Sequence, residues 1–165
     1  MRICIIVLIL ILIGCKSPKK EYDFTFYKGN IHESYFLNFN SSDTLYFTDV
    51  YGYDKEETSF TILSKEEKEK IENILDTITF SKMDSFGNIR GEDGDVSAFV
   101  LKNENQVNSL RINGRGPGIL WLFGKSLQHL KSSHEFIKTN KKFDLHEMDK
   151  ILMVPPPPIV DSLKI

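Results

Sequence analysis

Apolar residues recur at every second position through the first half of the chain. Tyr22, Phe24 and Phe26 alternate with Asp23 and Thr25, and Tyr35, Leu37 and Phe39 alternate with Phe36 and Asn38. Leu45, Phe47 and Asp49 alternate with Tyr46 and Thr48, and Phe60 and Ile62 with Ser59 and Thr61. A period of two, rich in aromatic and β-branched residues, predicts four strands. Turn-forming residues separate them: Gly29-Asn30, Asn40-Ser41-Ser42-Asp43, and Gly52 with Asp54.

At Ser64 the period changes. Ser64-Lys65-Glu66-Glu67 has the spacing of a capping box, in which a hydroxyl and a glutamate three residues on satisfy each other's backbone N–H. Ile71, Ile74, Leu75 and Ile78 then fall on one helical stripe. Residues 85–95, with three glycines and four charged residues, read as a mobile loop. Val96–Leu101 and Val107–Ile112 flank a turn at Asn103–Gln106 and predict a hairpin. A glycine-rich stretch, Gly114 to Gly118, leads into a second stripe of Leu120, Phe123, Leu127 and Leu130, with Pro117 suited to the first helical turn. Beyond Ser132 two readings stay open: a short helix carrying Leu145, Met148 and Leu152, or a last strand at 151–154. Pro155 to Pro158 ends regular structure and favours polyproline II.

Hairpins of consecutive strands pair antiparallel, and two amphipathic helices need a sheet face to cover. The expected fold is therefore α+β: a mainly antiparallel sheet of about six strands with two helices packed on one face.

The N-terminus has a different pattern. Arg2 precedes an unbroken apolar run from Ile3 to Ile13, which is shorter than the roughly twenty residues of a spanning helix and matches the core of a secretion signal. The run stops at Gly14-Cys15 and polar residues follow. Leu12-Ile13-Gly14-Cys15 resembles the lipobox of bacterial lipoproteins. The resemblance covers residues 1–15 and implies cleavage before Cys15, acylation of its sulfur, and partnership with membrane lipid through that cysteine. A single acyl chain holds a protein only marginally, and two or three make attachment effectively permanent. Lys16 follows the cysteine where aspartate would imply retention in the inner membrane, so the resemblance implies the outer membrane. The basic run to Lys20 favours its periplasmic face. The expected organisation is a signal peptide at 1–14, a tether at 15–21, a single α+β domain at 22–154 and a Pro-rich tail at 155–165. The plan of the mature domain is similar to that of many small lipoproteins of Gram-negative bacteria, and no motif in it points to one family.

Composition narrows the function classes. With 41% hydrophobic and 27% charged residues among 165, the chain is ordinary globular protein. The formal net charge of −2 becomes −3 on loss of Arg2, the only charged residue in 1–14, and leaves no basic footprint for nucleic acid. Ala98 is the only alanine, against 12% aromatic residues, which favours sheet over helical bundle. The two cysteines are Cys4, inside the signal, and Cys15. Acylation of Cys15 would leave no thiol for a disulfide, a zinc site or a nucleophile.

Candidate chemistry is sparse. Gly124-Lys125-Ser126 matches the end of a phosphate-binding loop, but Ile119 stands where that motif needs its first glycine. Asp93, Asp95, Ser97 and Glu104 mimic calcium-loop spacing, with Ala98 where the turn needs glycine. A looser calcium site would use Glu92, Asp93 and Asp95. His129, His134 and His146 are close enough in sequence to converge on a metal. Arg115 and Gly116 sit just before a helix N-terminus with Arg111 nearby, and this trio is a candidate for binding an anion or a partner. No catalytic constellation and no cofactor site emerges. The leading expectation is a non-enzymatic binding or interaction domain tethered in the cell envelope. It would contact a ligand or envelope protein through an aromatic-rich sheet face opposite the helices. Two alternatives are an envelope hydrolase, which needs a His and a carboxylate distant in sequence to meet in a cleft, and an immunity or inhibitor lipoprotein.

Overall fold

The computed structural model describes residues 21–51, 57–78, 95–103, 106–113 and 117–152. Within them the chain forms β1 (Asp23–Gly29), β2 (Ser34–Asn40), β3 (Thr44–Asp49), β4 (Glu57–Ile62), α1 (Lys65–Thr77), β5 (Val96–Asn103), β6 (Gln106–Asn113), α2 (Gly118–Ser133), β7 (Ile137–Thr139) and α3 (His146–Leu152). All pairings are antiparallel, in one sheet of order β6-β5-β1-β2-β3-β4-β7. The expected class is α+β with an antiparallel sheet, as found. The count differs from expectation by β7, three residues with a lysine in the middle, and by α3. Strand β7 is too short to announce itself by periodicity, and α3 is legible there only as one of two open readings. Of the two readings for the end of the domain, the helix is the one observed. Among the described residues, no helix is long and apolar enough to cross a membrane.

The first face of the sheet holds the main core. Phe24, Phe26, Tyr35, Leu37, Phe39, Leu45, Phe99, Leu101, Leu110 and Ile112 are buried there beneath α1 and α2. Helix α2 runs from the β6 side, where Leu120 and Phe123 are buried, toward β4. The Phe123 ring lies 5.6 Å from Phe24 and 5.9 Å from Phe99, and Phe99 lies 5.2 Å from Phe26. Gly124 belongs to this packing: a β-carbon there would stand 3.8 Å from Phe26. Gly124-Lys125-Ser126 is thus mid-helix and forms no phosphate cradle. Pro117 sits one residue earlier than expected, as the cap of α2, and its carbonyl accepts the N–H groups of Leu120 and Trp121.

The capping box at Ser64 forms as predicted: Glu67 N–H donates to Ser64 Oγ at 3.3 Å, and Ser64 N–H to Glu67 Oε2 at 2.9 Å. Glu67 also meets His134, the cap residue of α2, with Nε2 3.4 Å from Oε1. Burial would raise the Glu67 carboxyl, but the Ser64 N–H and hydroxyl and the His134 imidazole outweigh it and hold the carboxyl below its ordinary range. The start of α1 and the end of α2 are joined by that contact. At the far end of the core, Lys28 is 3% exposed and its ammonium lies 2.7 Å from Asp95, which also accepts from Asn30 at 2.9 Å. Desolvation acts against the Asp95 charge, and the Lys28 and Asn30 donors more than offset it.

These contacts can be weighed by substitution. Ser64→Ala should cost about 1 kcal/mol in urea unfolding at neutral pH. Because the folded Glu67 pKa lies below the unfolded one, its stabilisation is full above the ordinary carboxylate range. It should fade as pH falls through the lowered value, so the gap between wild type and Glu67→Gln should close in acid. Asp95→Ala strands a buried ammonium and should cost roughly 2 kcal/mol, reduced from a fully buried pair because Asp95 is half exposed. Lys28→Met should cost less by the same urea titration.

Candidate functional site

In an antiparallel sheet, directly paired residues share a face, so register maps the second face. One row runs Ser109, Val100, Thr25, Asn38, Tyr46, Phe60, Ile137, and its neighbour Arg111, Ala98, Tyr27, Phe36, Thr48, Thr58, Thr139. The β6–β5–β1–β2 side is covered. Phe36, Ala98, Val100 and Met148 are buried together, with Tyr27, Leu145, Ile151 and Leu152 packed around them. Helix α3 makes that cover, so α1 and α2 share one face as expected and the additional third helix lies on the other. A seven-residue helix is marginal alone. Its start is held by Asp144, whose Oδ1 accepts His146 N–H at 3.1 Å. Its end is held by Arg111, which donates from Nη1 to the carbonyls of Ile151 (3.1 Å) and Leu152 (3.4 Å). Arg111 Nε donates to Asn113 at 2.9 Å.

The β3–β4–β7 side has no such cover among the described residues. Phe60 pairs with Tyr46 on one side and Ile137 on the other, and Ile62 follows two residues along β4. Ile62 is 59% and Ile137 65% exposed. Phe143 folds onto this surface edge-on to Tyr46 at 5.0 Å, and Lys141 Nζ lies 4.0 Å from the Tyr46 ring centroid and 5.0 Å from that of Phe143. The result is an aromatic and aliphatic surface edged by a cation held over its rings. It lies on the sheet face opposite α1 and α2. Under its inner margin, Asn38, 2% exposed, donates to Thr25 Oγ1 at 2.9 Å, and its Oδ1 has no hydrogen-bond partner among the described residues.

Phe143 also divides two open clefts. One, of about 630 Å³, lies where the chain joins β1 and is lined by Tyr22, Asp23, Ser41, Lys102, Lys141 and Phe143 among others. Partial burial pushes the Asp23 carboxyl up, Lys102 and Lys141 pull it down, and Asp144 pushes it up again. The other, of about 550 Å³, lies toward α3 and includes Tyr27, Ser34, Phe36, His146 and Asp149. Among the described residues no hydrogen bond joins the His146 ring to Ser34 or Asp149.

The other sequence candidates fall elsewhere. Among the described residues no three His, Cys, Asp or Glu side chains are grouped to hold a metal. His129 and His134 belong to the α2 side of the sheet and His146 to α3 on the other, so the three histidines do not converge. Asp95 is engaged with Lys28, and Glu92 and Asp93 lie outside the described residues. So do Arg115, Gly116, Cys15 and Pro155 to Pro158. Ser97 and Ala98 of the calcium-like spacing lie in strand β5, and Glu104 lies outside the described residues. The His134–Glu67 pair is distant in sequence, but it joins two helix ends and lines neither cleft. A second exposed apolar group, Ile119, Trp121 and Leu122, lies on the outer side of α2 with Lys125 Nζ 5.6 Å from the Trp121 ring. What sequence reasoning missed was the segment 141–143. Its signal is a lysine pair followed by Phe143, which no periodic pattern frames.

Arg111→Ala should release α3. Hydrogen exchange in 146–152 should accelerate while α1 is unchanged, with a stability loss of roughly 1.5–3 kcal/mol, the range for bonds to charged groups.

A scan against protein-family models and a search of curated proteins find no match to this chain, so no family is assigned to it.

Proposed function

We propose that this chain is a lipid-anchored protein of the cell envelope, held through acylated Cys15 at the periplasmic side of the outer membrane, and that its domain acts by contact rather than catalysis. The anchor reading rests on the apolar run ending at Gly14-Cys15. The contact reading rests on one observation: Ile62 and Ile137 share a sheet face with Tyr46, Phe60 and Phe143, and are exposed there. Exposing large apolar side chains together costs solubility, and such surfaces mark contact sites. The geometry of His134 and Glu67 favours this reading over a hydrolase, since both groups are occupied in capping helices. An inhibitor or immunity role would be one form of contact, and nothing in the site singles it out.

The test is photo-crosslinking in intact cells. A photoreactive residue at Ile137 should give a specific adduct, lipid or protein, that the same residue at exposed Glu66 on α1 does not. Mass spectrometry of the N-terminal peptide should show acylated Cys15. Equal capture at both positions would remove the support for the contact face, and an unmodified thiol would remove the anchor.

A further inference from the structure

The contact face and the tethered end of the domain are continuous. Strand β1 begins at Asp23, and the second-face residues at that end are the paired Val107, Lys102, Asp23 and Asn40 and, past the β2–β3 turn, the pair Thr44 and Ile62. The outermost two, Val107 and Ile62, are exposed apolar residues. Lys141 and Phe143, which pack on Tyr46, also line the cleft beside Tyr22 and Asp23. The aromatic surface therefore extends to the point where the chain comes in. Five residues, Lys16 to Lys20, separate Cys15 from Glu21. Fully extended, that stretch spans at most about 20 Å. With Cys15 in the bilayer, Glu21 is confined to that distance from the headgroups, and the Asp23 end of the sheet to about 7 Å more.

We infer that the occupant of this face is the bilayer surface itself: the domain lies with Ile62, Phe60, Ile137 and Phe143 against anionic phospholipid, an inference that rests on the lipid-anchor reading. The chemistry fits. Aromatic rings and aliphatic side chains settle at the headgroup level, while lysines beside them keep their ammonium groups among the phosphates. Juxtamembrane lysines are drawn to an anionic surface. Lys102 and Lys141 line the cleft at this end, Lys142 follows in sequence, and Lys16, Lys19 and Lys20 precede Glu21 in sequence, against Glu21, Asp23, Asp144 and Glu72, which accepts from Tyr22 Oη at 2.9 Å. One nearby carboxylate, Asp43, has Lys68 at 2.7 Å. The rival apolar group on α2 lies on the other side of the sheet and at the opposite end of the strands. Helix α2 follows Asn113, which pairs with Val96 and through it with Gly29. One flat membrane cannot meet both groups, and the tether favours the sheet face.

Past Cys15 the chain has no cysteine, so a single introduced thiol can be labelled cleanly once Cys15 is acylated. Ile62→Cys, Ile137→Cys and Leu122→Cys are all at exposed positions and keep the core intact. Each is purified in lipidated form, carries a polarity-sensitive fluorophore, and is reconstituted in phosphatidylethanolamine/phosphatidylglycerol vesicles with a bilayer-embedded quencher. Labels at 62 and 137 should be quenched several-fold more than at 122. Equal quenching at all three, or the strongest at 122, overturns the orientation while leaving the anchor standing. Labels at 62 and 137 that stay aqueous on vesicles but are shielded in intact cells assign the face to an envelope protein, and also overturn it. Protein that remains outside the vesicle fraction with a bare Cys15 thiol defeats both the anchor reading and this inference.

Discussion

Side chains in a strand alternate between two faces, so a shift of one residue in pairing exchanges every inward residue for an outward one. Much of the character of this protein depends on one such pairing. In β3 and β4, Leu45 stands opposite Thr61 and Tyr46 opposite Phe60. Leu45 therefore enters the core with Thr61 and Ser59 as its neighbours on β4, and the two large apolar residues of β4 turn the other way. The core tolerates this because Leu63, just past the strand, is buried and Phe136 packs against Phe47. What the strand does not place in the core it displays beside Tyr46.

Coverage of the two faces differs in kind. On the first face, two long amphipathic helices cross the sheet in opposite directions, and their ends are tied by polar contacts: Ser64 with Glu67, Glu67 with His134, and Lys131 with Glu33 at 2.9 Å. Lys131 also sits 4.2 Å from the Tyr35 ring centroid, so the end of α2 is fastened by charge and ring together. On the second face, seven residues of α3 cover only one side, and they depend on Arg111 for their terminal carbonyls. A guanidinium that reads in sequence as an anion-binding group is here a helix cap. Both functions use the same chemistry, a planar donor meeting concentrated negative charge.

That half-cover gives the molecule its asymmetry. One margin of the second face is closed by apolar packing under α3. The other is bordered by Lys141 and Phe143 and lies open along β4 and β7. The closed margin steadies the sheet, and the open one offers large apolar side chains next to the chain's approach to β1. Strand β7 limits the exposed edge of β4 to a few residues, a common way to keep a sheet edge from pairing with another chain.

Strand and helix positions were legible in the sequence because they depend on local periodicity. The two-residue period of 22–62, the hairpin around 103–106, the Ser64 capping box and the stripe of Leu120, Phe123 and Leu127 all became the elements they announced. The lipobox resemblance is likewise local, carried by adjacent residues. What only the tertiary structure decided was relational. Whether Phe60 and Ile62 point in or out, whether α3 joins the other helices or crosses to the opposite face, and whether Arg111 meets a ligand or a helix end each depend on residues far away in the chain. Periodicity specifies that one side of an element is apolar. It does not specify which partner that side meets, because pairing register and helix placement are settled by the packing of the whole sheet.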